Sequence, residues 1–239
     1  MCGITGVYLL NGENIQAHKK QVAKSLSELE NRGPDNSNLH FFDKVGFGHS
    51  RLKIIDTSDN ANQPFFDVSN RYSIIFNGEI YNYKEIRKKL KGYNFQTNSD
   101  TEVLLYALIH YGLDCLEMLN GFFAFAFYDT KNDEMYIARD RLGIKPLYYQ
   151  KNDERLSFAS EFKSLIHYGI NFKIDENSLW QYLQFNYTPA PNTAVQNVNK
   201  LMPGHYIRII KGDIEFGCYF SLSEKRSKVN TLDDQSIKS

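Results

Sequence analysis

Phe122-Phe123-Ala124-Phe125-Ala126-Phe127-Tyr128 and Glu134-Met135-Tyr136-Ile137-Ala138-Arg139 are two short runs of aromatic and aliphatic residues separated by Lys131-Asn132-Asp133. Each run is short for a helix and rich in residues that suit a pleated surface, and a polar turn divides them, so they predict consecutive antiparallel strands. Downstream, Pro146 to Gln150 and Leu156 to Ala159 repeat the pattern around Asn152-Asp153. A last hairpin is expected from His205 to Ile210 and Ile214 to Phe220, around Lys211-Gly212-Asp213. Upstream, Gly3 to Leu10 reads as a strand closed by Asn11-Gly12, Val45 to Arg51 as another, and Tyr72 to Glu79 as a third centred on Ile74, Ile75 and Phe76.

Helical spacing occurs between these runs. Val22, Leu26 and Leu29 place an amphipathic helix in Ile15 to Glu30, stopped at Asn31-Arg32-Gly33-Pro34. Glu85 to Leu90 reads as a short helix and Thr101 to Tyr111 as a longer one, with Ser99 and Glu102 at the spacing of a reciprocal capping box. Glu161 to Tyr168 and Glu176 to Phe185 complete the helices, and Pro189-Ala190-Pro191 marks a loop. Helices clustered between runs of antiparallel strands indicate a layered α+β fold, not a parallel Rossmann sheet. Neither a Gly-x-Gly-x-x-Gly fingerprint nor a Walker loop is present.

Composition narrows the function. With 28 basic and 28 acidic residues the chain has no net charge, hence no long-range field for a phosphate backbone or an anionic membrane. Lys84 to Lys91 and Lys225 to Lys228 read as solvated faces. No apolar run approaches the ~18 residues of a membrane span, and Met1-Cys2-Gly3-Ile4-Thr5-Gly6 lacks the features of a signal peptide, so a cytoplasmic protein is expected. The 3 cysteines are too few and too dispersed for a disulfide framework or a Cys-x-x-Cys metal site. Cys115 and Cys218 are expected to be buried small hydrophobes.

Cys2 differs from them. If Met1 is removed, Cys2 carries a thiol and a free α-amine, whose pKa of about 7.7–8.0 suits it to take a proton from an attacking nucleophile and return it later. Asn77-Gly78-Glu79 follows the most apolar strand. It is either a plain turn or, through the Asn side-chain NH₂ and the Gly N–H, a pair of donors for a developing oxyanion. Arg51 ends a strand, where it is either solvated or a bidentate clamp for a carboxylate. Asp100 stands at a helix start, as a cap or, facing a pocket, as a partner for an ammonium group. His49 lacks metal-ligand spacing and an orienting acid, and reads as a structural histidine.

Taken in series the motifs resemble one family. They are Cys2-Gly3-Ile4-Thr5-Gly6, Arg32-Gly33-Pro34-Asp35, His49-Ser50-Arg51-Leu52, Asn77-Gly78-Glu79-Ile80-Tyr81-Asn82, Ser99-Asp100-Thr101-Glu102, Arg139-Asp140-Arg141-Leu142-Gly143-Ile144-Lys145-Pro146-Leu147-Tyr148-Tyr149 and Ala159-Ser160-Glu161-Phe162-Lys163. Their order is similar to that of the glutaminase domain of glutamine-hydrolysing asparagine synthetases, which are class II glutamine amidotransferases. The resemblance implies an N-terminal-nucleophile hydrolase fold, a four-layer αββα sandwich of two antiparallel sheets. It implies Cys2 as nucleophile, Asn77 and Gly78 as oxyanion hole, and Arg51 on the glutamine α-carboxylate. Asp100 and Glu79 would face the α-amino group, and Leu52, Lys53, Ile54 and Ile55 would line the pocket, partly through backbone.

The domain is expected over residues 2–220, followed by a polar linker or tail at 221–239. No metal or cofactor is implied for it. ATP and Mg belong to a synthetase domain with a Ser-Gly-Gly-x-Asp-Ser loop, which these residues lack. The implied partners are glutamine and an ammonia-accepting synthetase domain, in cis or in trans, and a homodimer is left open. Other readings are the glutaminase domain of an amidotransferase for amino-sugar or purine synthesis, or for a sugar acid or peptide, and a non-catalytic glutamine-binding scaffold. Cys2, Arg51, Asn77 and Asp100 together speak against the scaffold.

Overall fold

In a computed structural model, residues 1–222 are described; residues 223–239, most of the expected tail, lie outside the described residues. In chain order the elements are β1 (Gly3–Leu9), α1 (Lys19–Ser27), β2 (Asn36–Phe41), β3 (Val45–Arg51), β4 (Phe65–Phe66), β5 (Tyr72–Ile80), α2 (Tyr83–Lys89), α3 (Asp100–Tyr111) and α4 (Cys115–Met118). They continue with β6 (Gly121–Asp129), β7 (Glu134–Arg139), β8 (Tyr148–Lys151), β9 (Arg155–Ala159), α5 (Phe162–Leu165), α6 (Glu176–Phe185), β10 (Val198–Lys200), β11 (His205–Ile210) and β12 (Asp213–Cys218).

Two 6-stranded sheets result, ordered β10-β8-β9-β1-β3-β2 and β12-β11-β7-β6-β5-β4. Adjacent strands are antiparallel throughout, as the hairpin pattern of the sequence requires.

The period-2 alternation of β6 divides the layers. Ala124, Ala126 and Tyr128 face the first sheet and pack with Ile4, Tyr8, Phe47, Ile75, Ile137 and Phe158. Phe123, Phe125 and Phe127 face the other way, into a cluster with α3 residues Val103 to Leu108 and with Ile86 of α2. On the far side of the first sheet, Val7 and Leu9 pack with Val22 of α1, Leu165 and Tyr168. The order is therefore helices, sheet, sheet, helices, the four layers that the resemblance implies. The inner strands are buried, and deleting a fully enclosed ring such as Phe125 costs about 3–5 kcal/mol.

The departures from expectation have local causes. The long first helix is broken into a 3₁₀ turn at Ile15–His18, α1, and a second 3₁₀ turn at Glu30–Arg32. Three strands escape the sequence pattern: β2, β4 and β10. All three lie at sheet edges, where one neighbour suffices and apolar alternation is not demanded. The short α4 is also unanticipated. Pro146 falls outside β8, because the turn after β7 runs on to Leu147.

Half of the expected capping box forms. Ser99 Oγ accepts the Glu102 N–H at 3.2 Å, but Glu102 turns its carboxylate to the N–H groups of Gln96 and Thr97 instead of that of Ser99. Cys115 is buried, as expected, and burial pushes its thiol up to about 12. Cys218 is exposed, contrary to expectation, because β12 is an edge strand with nothing packed over that position.

Candidate functional site

Cys2 immediately precedes β1, the strand flanked by β9 and β3 in the middle of the first sheet. Two motifs distant in sequence hold its backbone. Arg32 Nε donates to the Cys2 carbonyl at 2.9 Å, and Arg32 Nη1 pairs with Glu161 at 3.0 Å. Gly33, next to Arg32, packs against the backbone of β3, where a Cβ would lie 2.3 Å from the Ser50 carbonyl carbon. The thiol faces Leu52, whose N–H donates to Sγ at 3.4 Å while its carbonyl accepts from the thiol at 3.6 Å. Burial pushes the Cys2 thiol up, opposed by the Leu52 backbone, the terminal amine, Arg51 and Lys145. Met1 is present ahead of it and borders the same cavity, with its side chain largely exposed.

Asn77 and Gly78 come to this cavity from the second sheet. They lie inside β5, paired with Ala124 and Phe123 of β6, so the plain-turn alternative does not hold. Gly78 is required by that pairing, since a Cβ would sit 2.3 Å from the Phe122 carbonyl oxygen. Asn77 is 1% exposed, yet neither its Nδ2 nor its Oδ1 has a hydrogen-bond partner among the described residues. Buried amides are nearly always partnered, because an unmade bond costs about 1–3 kcal/mol. The orphaned Asn77 amide lines the same cavity as the Cys2 thiol.

Arg51 closes β3 at the cavity wall. Its Nη1 donates to Ser58 O and Asn62 Oδ1, both at 2.7 Å, and Nη2 donates to Asp56 O. A guanidinium has five N–H groups, so two remain, enough for one bidentate carboxylate. The bonds also wrap the segment after Arg51 around it, which brings Leu52, Ile54 and Ile55 into the lining.

Lys53 is a correction: it does not line the cavity. Its N–H donates to Asp35 and its Nζ pairs with Asp59 at 2.8 Å, and these two carboxylates draw it out of the site.

Glu79 and Asp100 line the opposite wall. Asp100 is the first residue of α3 and accepts the Ile80 N–H at 2.9 Å, so the helix-start and pocket readings both apply. Burial pushes its carboxyl up to about 6, with Ile80, Thr101 and its own backbone N–H opposing and Glu79 adding to the rise.

His49 is fully buried and bonds to the Phe76 carbonyl across the two sheets at 3.1 Å; burial holds its pKa down to about 3, in keeping with a structural role. Other residues of the site carried no sequence signal of their own. Gln63 Oε1 accepts the Phe76 N–H at 2.6 Å and its Nε2 donates to Thr101, fixing β5 beside α3. Lys145 and Arg32 lay within strings of the resemblance but had no role assigned. Among the described residues no group of three or more His, Cys, Asp or Glu is placed to hold a metal ion, and no helix is long and apolar enough to cross a membrane.

A cysteine at the head of an inner strand of this sandwich, facing an amide from the second sheet, fits one class. The chain belongs to the glutamine amidotransferase domain family, which it matches over residues 1–220. Among curated proteins it is similar to asparagine synthetase [glutamine-hydrolyzing] 1 of Bacillus subtilis, at 41% identity over 100% of this chain and 38% of that protein. Asparagine synthetase [glutamine-hydrolyzing] 3 of the same organism is 35% identical over 98% of the chain and 39% of its own length. Amidase chry2 of Gibberella zeae is 35% identical over 87% of the chain and 32% of its own length. The chain thus spans about two-fifths of the length of the asparagine synthetases that it resembles. A solved structure of glutamine phosphoribosylpyrophosphate amidotransferase from Bacillus subtilis shares the fold, with a TM-score of 0.66 at 20% identity over 92% of this chain and 49% of that one.

Proposed function

We propose that this domain hydrolyses glutamine to glutamate and ammonia, with Cys2 as nucleophile once Met1 is removed. The observation that carries the proposal is one cavity holding the Cys2 thiol and the unpartnered Asn77 amide. The freed α-amine of Cys2 takes the thiol proton, and the thiolate adds to the side-chain carbonyl carbon of glutamine. The carbonyl oxygen becomes an oxyanion held by Asn77 Nδ2 and the Gly78 N–H. The C–N bond then breaks, and the leaving nitrogen departs as ammonia with the proton from the amine. Water attacks the resulting thioester, the amine takes the water's proton, and glutamate leaves as the proton returns to sulfur. The two open N–H groups of Arg51 suit the substrate α-carboxylate, and Asp100 and Glu79 suit the α-ammonium.

The ammonia is taken up by an ATP-dependent synthetase domain, and asparagine formation is the reading favoured by the two synthetase relatives. The fungal amidase relative supports a second reading, in which the same half-reaction serves another carboxylate. A cytoplasmic setting is consistent with the mechanism, because a reducing compartment keeps a catalytic thiol free.

The test is direct. Chain whose intact mass shows loss of Met1 should release equimolar glutamate and ammonia from glutamine with no ATP present. A folded preparation lacking Met1 that binds glutamine but never turns it over would leave the scaffold reading standing instead.

The Asp100 assignment predicts a pH dependence. Asp100 holds an ammonium group only when ionised, and its pKa near 6 means that the ionised fraction falls as pH drops through 6. KM for glutamine should therefore rise by roughly tenfold per pH unit below that point. The rise should vanish in Asp100→Asn, whose KM is high and flat; a parent KM unchanged between pH 7 and 5 would remove Asp100 from the binding site.

A further inference from the structure

We propose that Lys145 is the counter-ion of the Cys2 thiolate, its ammonium placed against the reaction cavity by the turn that follows β7. The inference rests on Cys2 being the nucleophile.

Two residues clamp that turn. Asp140 is fully buried, and its carboxylate accepts N–H groups from Phe123 at 3.3 Å, Leu142 at 3.1 Å, Ile144 at 3.0 Å and Lys145 at 2.9 Å. Arg139 donates from the other side, to Gly143 O and Lys145 O at 2.7 Å each. Lys145 is therefore fixed at both its N–H and its carbonyl, and it is the residue of this turn that lines the Cys2 cavity.

The other charged groups around the cavity are committed. Arg51 makes three bonds to its own loop, and its open edge suits a carboxylate. Asp56 accepts from Ser58 and Asn98. Glu79 and Asp100 are anionic candidates for the substrate ammonium, and the terminal amine is the proton carrier. Lys145 Nζ has no hydrogen-bond or ion-pair partner among the described residues.

Its charge opposes the effect of burial on the thiol. A half-buried thiolate needs such an opposing charge, because desolvation favours the neutral thiol, and a cation within about 4–6 Å shifts the balance by 1–3 pKa units. The terminal amine and Arg51 also oppose burial, but the first carries the proton and the second suits a carboxylate; an ammonium that lines the cavity and has no partner among the described residues is free to supply it.

The experiment measures the thiol itself. In a Cys218→Ser background, which removes the exposed thiol, Cys2 is alkylated with iodoacetamide across a pH range; Cys115 is buried and serves as the silent control. Lys145→Met should raise the pH midpoint of alkylation by about one unit, since the cavity is open to solvent. It should also lower kcat for glutamine at neutral pH by roughly tenfold with little change in KM, and kcat should recover as pH rises. Lys145→Arg should retain the parent midpoint. Lys145→Gln gives a second loss of charge with a polar side chain.

A folded Lys145→Met or Lys145→Gln protein, by near-ultraviolet circular dichroism, with an unmoved midpoint would overturn the proposal. A parent that shows the alkylation profile and its shift but hydrolyses no glutamine would overturn the glutaminase reading and leave the ion pair supported.

Discussion

Cys2→Ala is expected to lose glutamine hydrolysis completely, by at least about 10⁴-fold, while keeping its thermal midpoint. The loss is large because no second thiol lines the cavity: the others are buried Cys115 in the helix layer and exposed Cys218 on the edge strand β12. Stability should be nearly untouched. The Cys2 thiol hydrogen-bonds only to the Leu52 backbone, at 3.4–3.6 Å, and sulfur is a weak donor and acceptor, so the change stays within about 0.5 kcal/mol. The backbone carbonyl that Arg32 holds survives the substitution.

Met1 provides the companion experiment. With Met1 in place the α-amine belongs to the wrong residue, and the proton carrier is lost from Cys2. Intact-mass analysis of separated fractions should find turnover only in molecules lighter by one methionine. Equal specific activity in a fraction that uniformly retains Met1 would rule out the self-contained nucleophile and base. Full activity in Cys2→Ala would rule out the nucleophile altogether.

Asn77→Ala carries the second large effect. Glutamine in its ground state has no oxyanion; the charge appears only as the thiolate adds. The Asn77 amide therefore acts on the transition state, and its loss should lower kcat by about 10²–10³, or roughly 2.7–4 kcal/mol, with KM little changed.

The structure sharpens what should happen to stability. An Asn whose amide makes protein hydrogen bonds would leave its partners unsatisfied when truncated. Neither amide atom of Asn77 has such a partner among the described residues, so Asn77→Ala should not lower the thermal midpoint and could raise it slightly. Asn77→Asp is a stricter probe, since an acceptor-only carboxylate beside the forming oxyanion should be at least as damaging to kcat as alanine. A destabilised Asn77→Ala with near-normal kcat would make Asn77 a structural strand residue and sink the oxyanion assignment.

Much of this was legible in the chain. Alternation in β6 and β7 and the polar turn between them predicted antiparallel strands, and Glu134–Arg139 and Glu176–Phe185 match the expected bounds. Periodicity works for the inner strands, which are covered on both faces and so carry mostly apolar residues. It fails at β2, β4 and β10, where an edge strand is half-covered and polar residues are tolerated. Cys218 is misplaced for the same reason.

The site divides along similar lines. The residue types in Cys2, Arg51, Asn77, Gly78 and Asp100 suggested chemistry before any coordinates, because thiol, guanidinium, amide and carboxylate have distinct capacities. Lys53 did not follow its neighbours Leu52, Ile54 and Ile55 into the cavity, since Asp35 and Asp59 pull it away. No local pattern in the sequence records that competition.

By itself, then, the sequence determined most of the inner strands, a layered α+β arrangement implied by the order of helices and strands, and the chemical groups available. Tertiary structure alone decided which of them meet. Cys2 starts a strand of one sheet, Asn77 lies within a strand of the other, and they share a cavity because the two sheets pack face to face. It also decided that the Asn77 amide would be buried with no partner among the described residues, that the Arg51 fork would keep one edge free, and that Asp140 would fix the Lys145 backbone at the wall of the same cavity. Each depends on contacts between residues tens of positions apart, where burial and unfilled hydrogen bonds, not local propensity, set the energy.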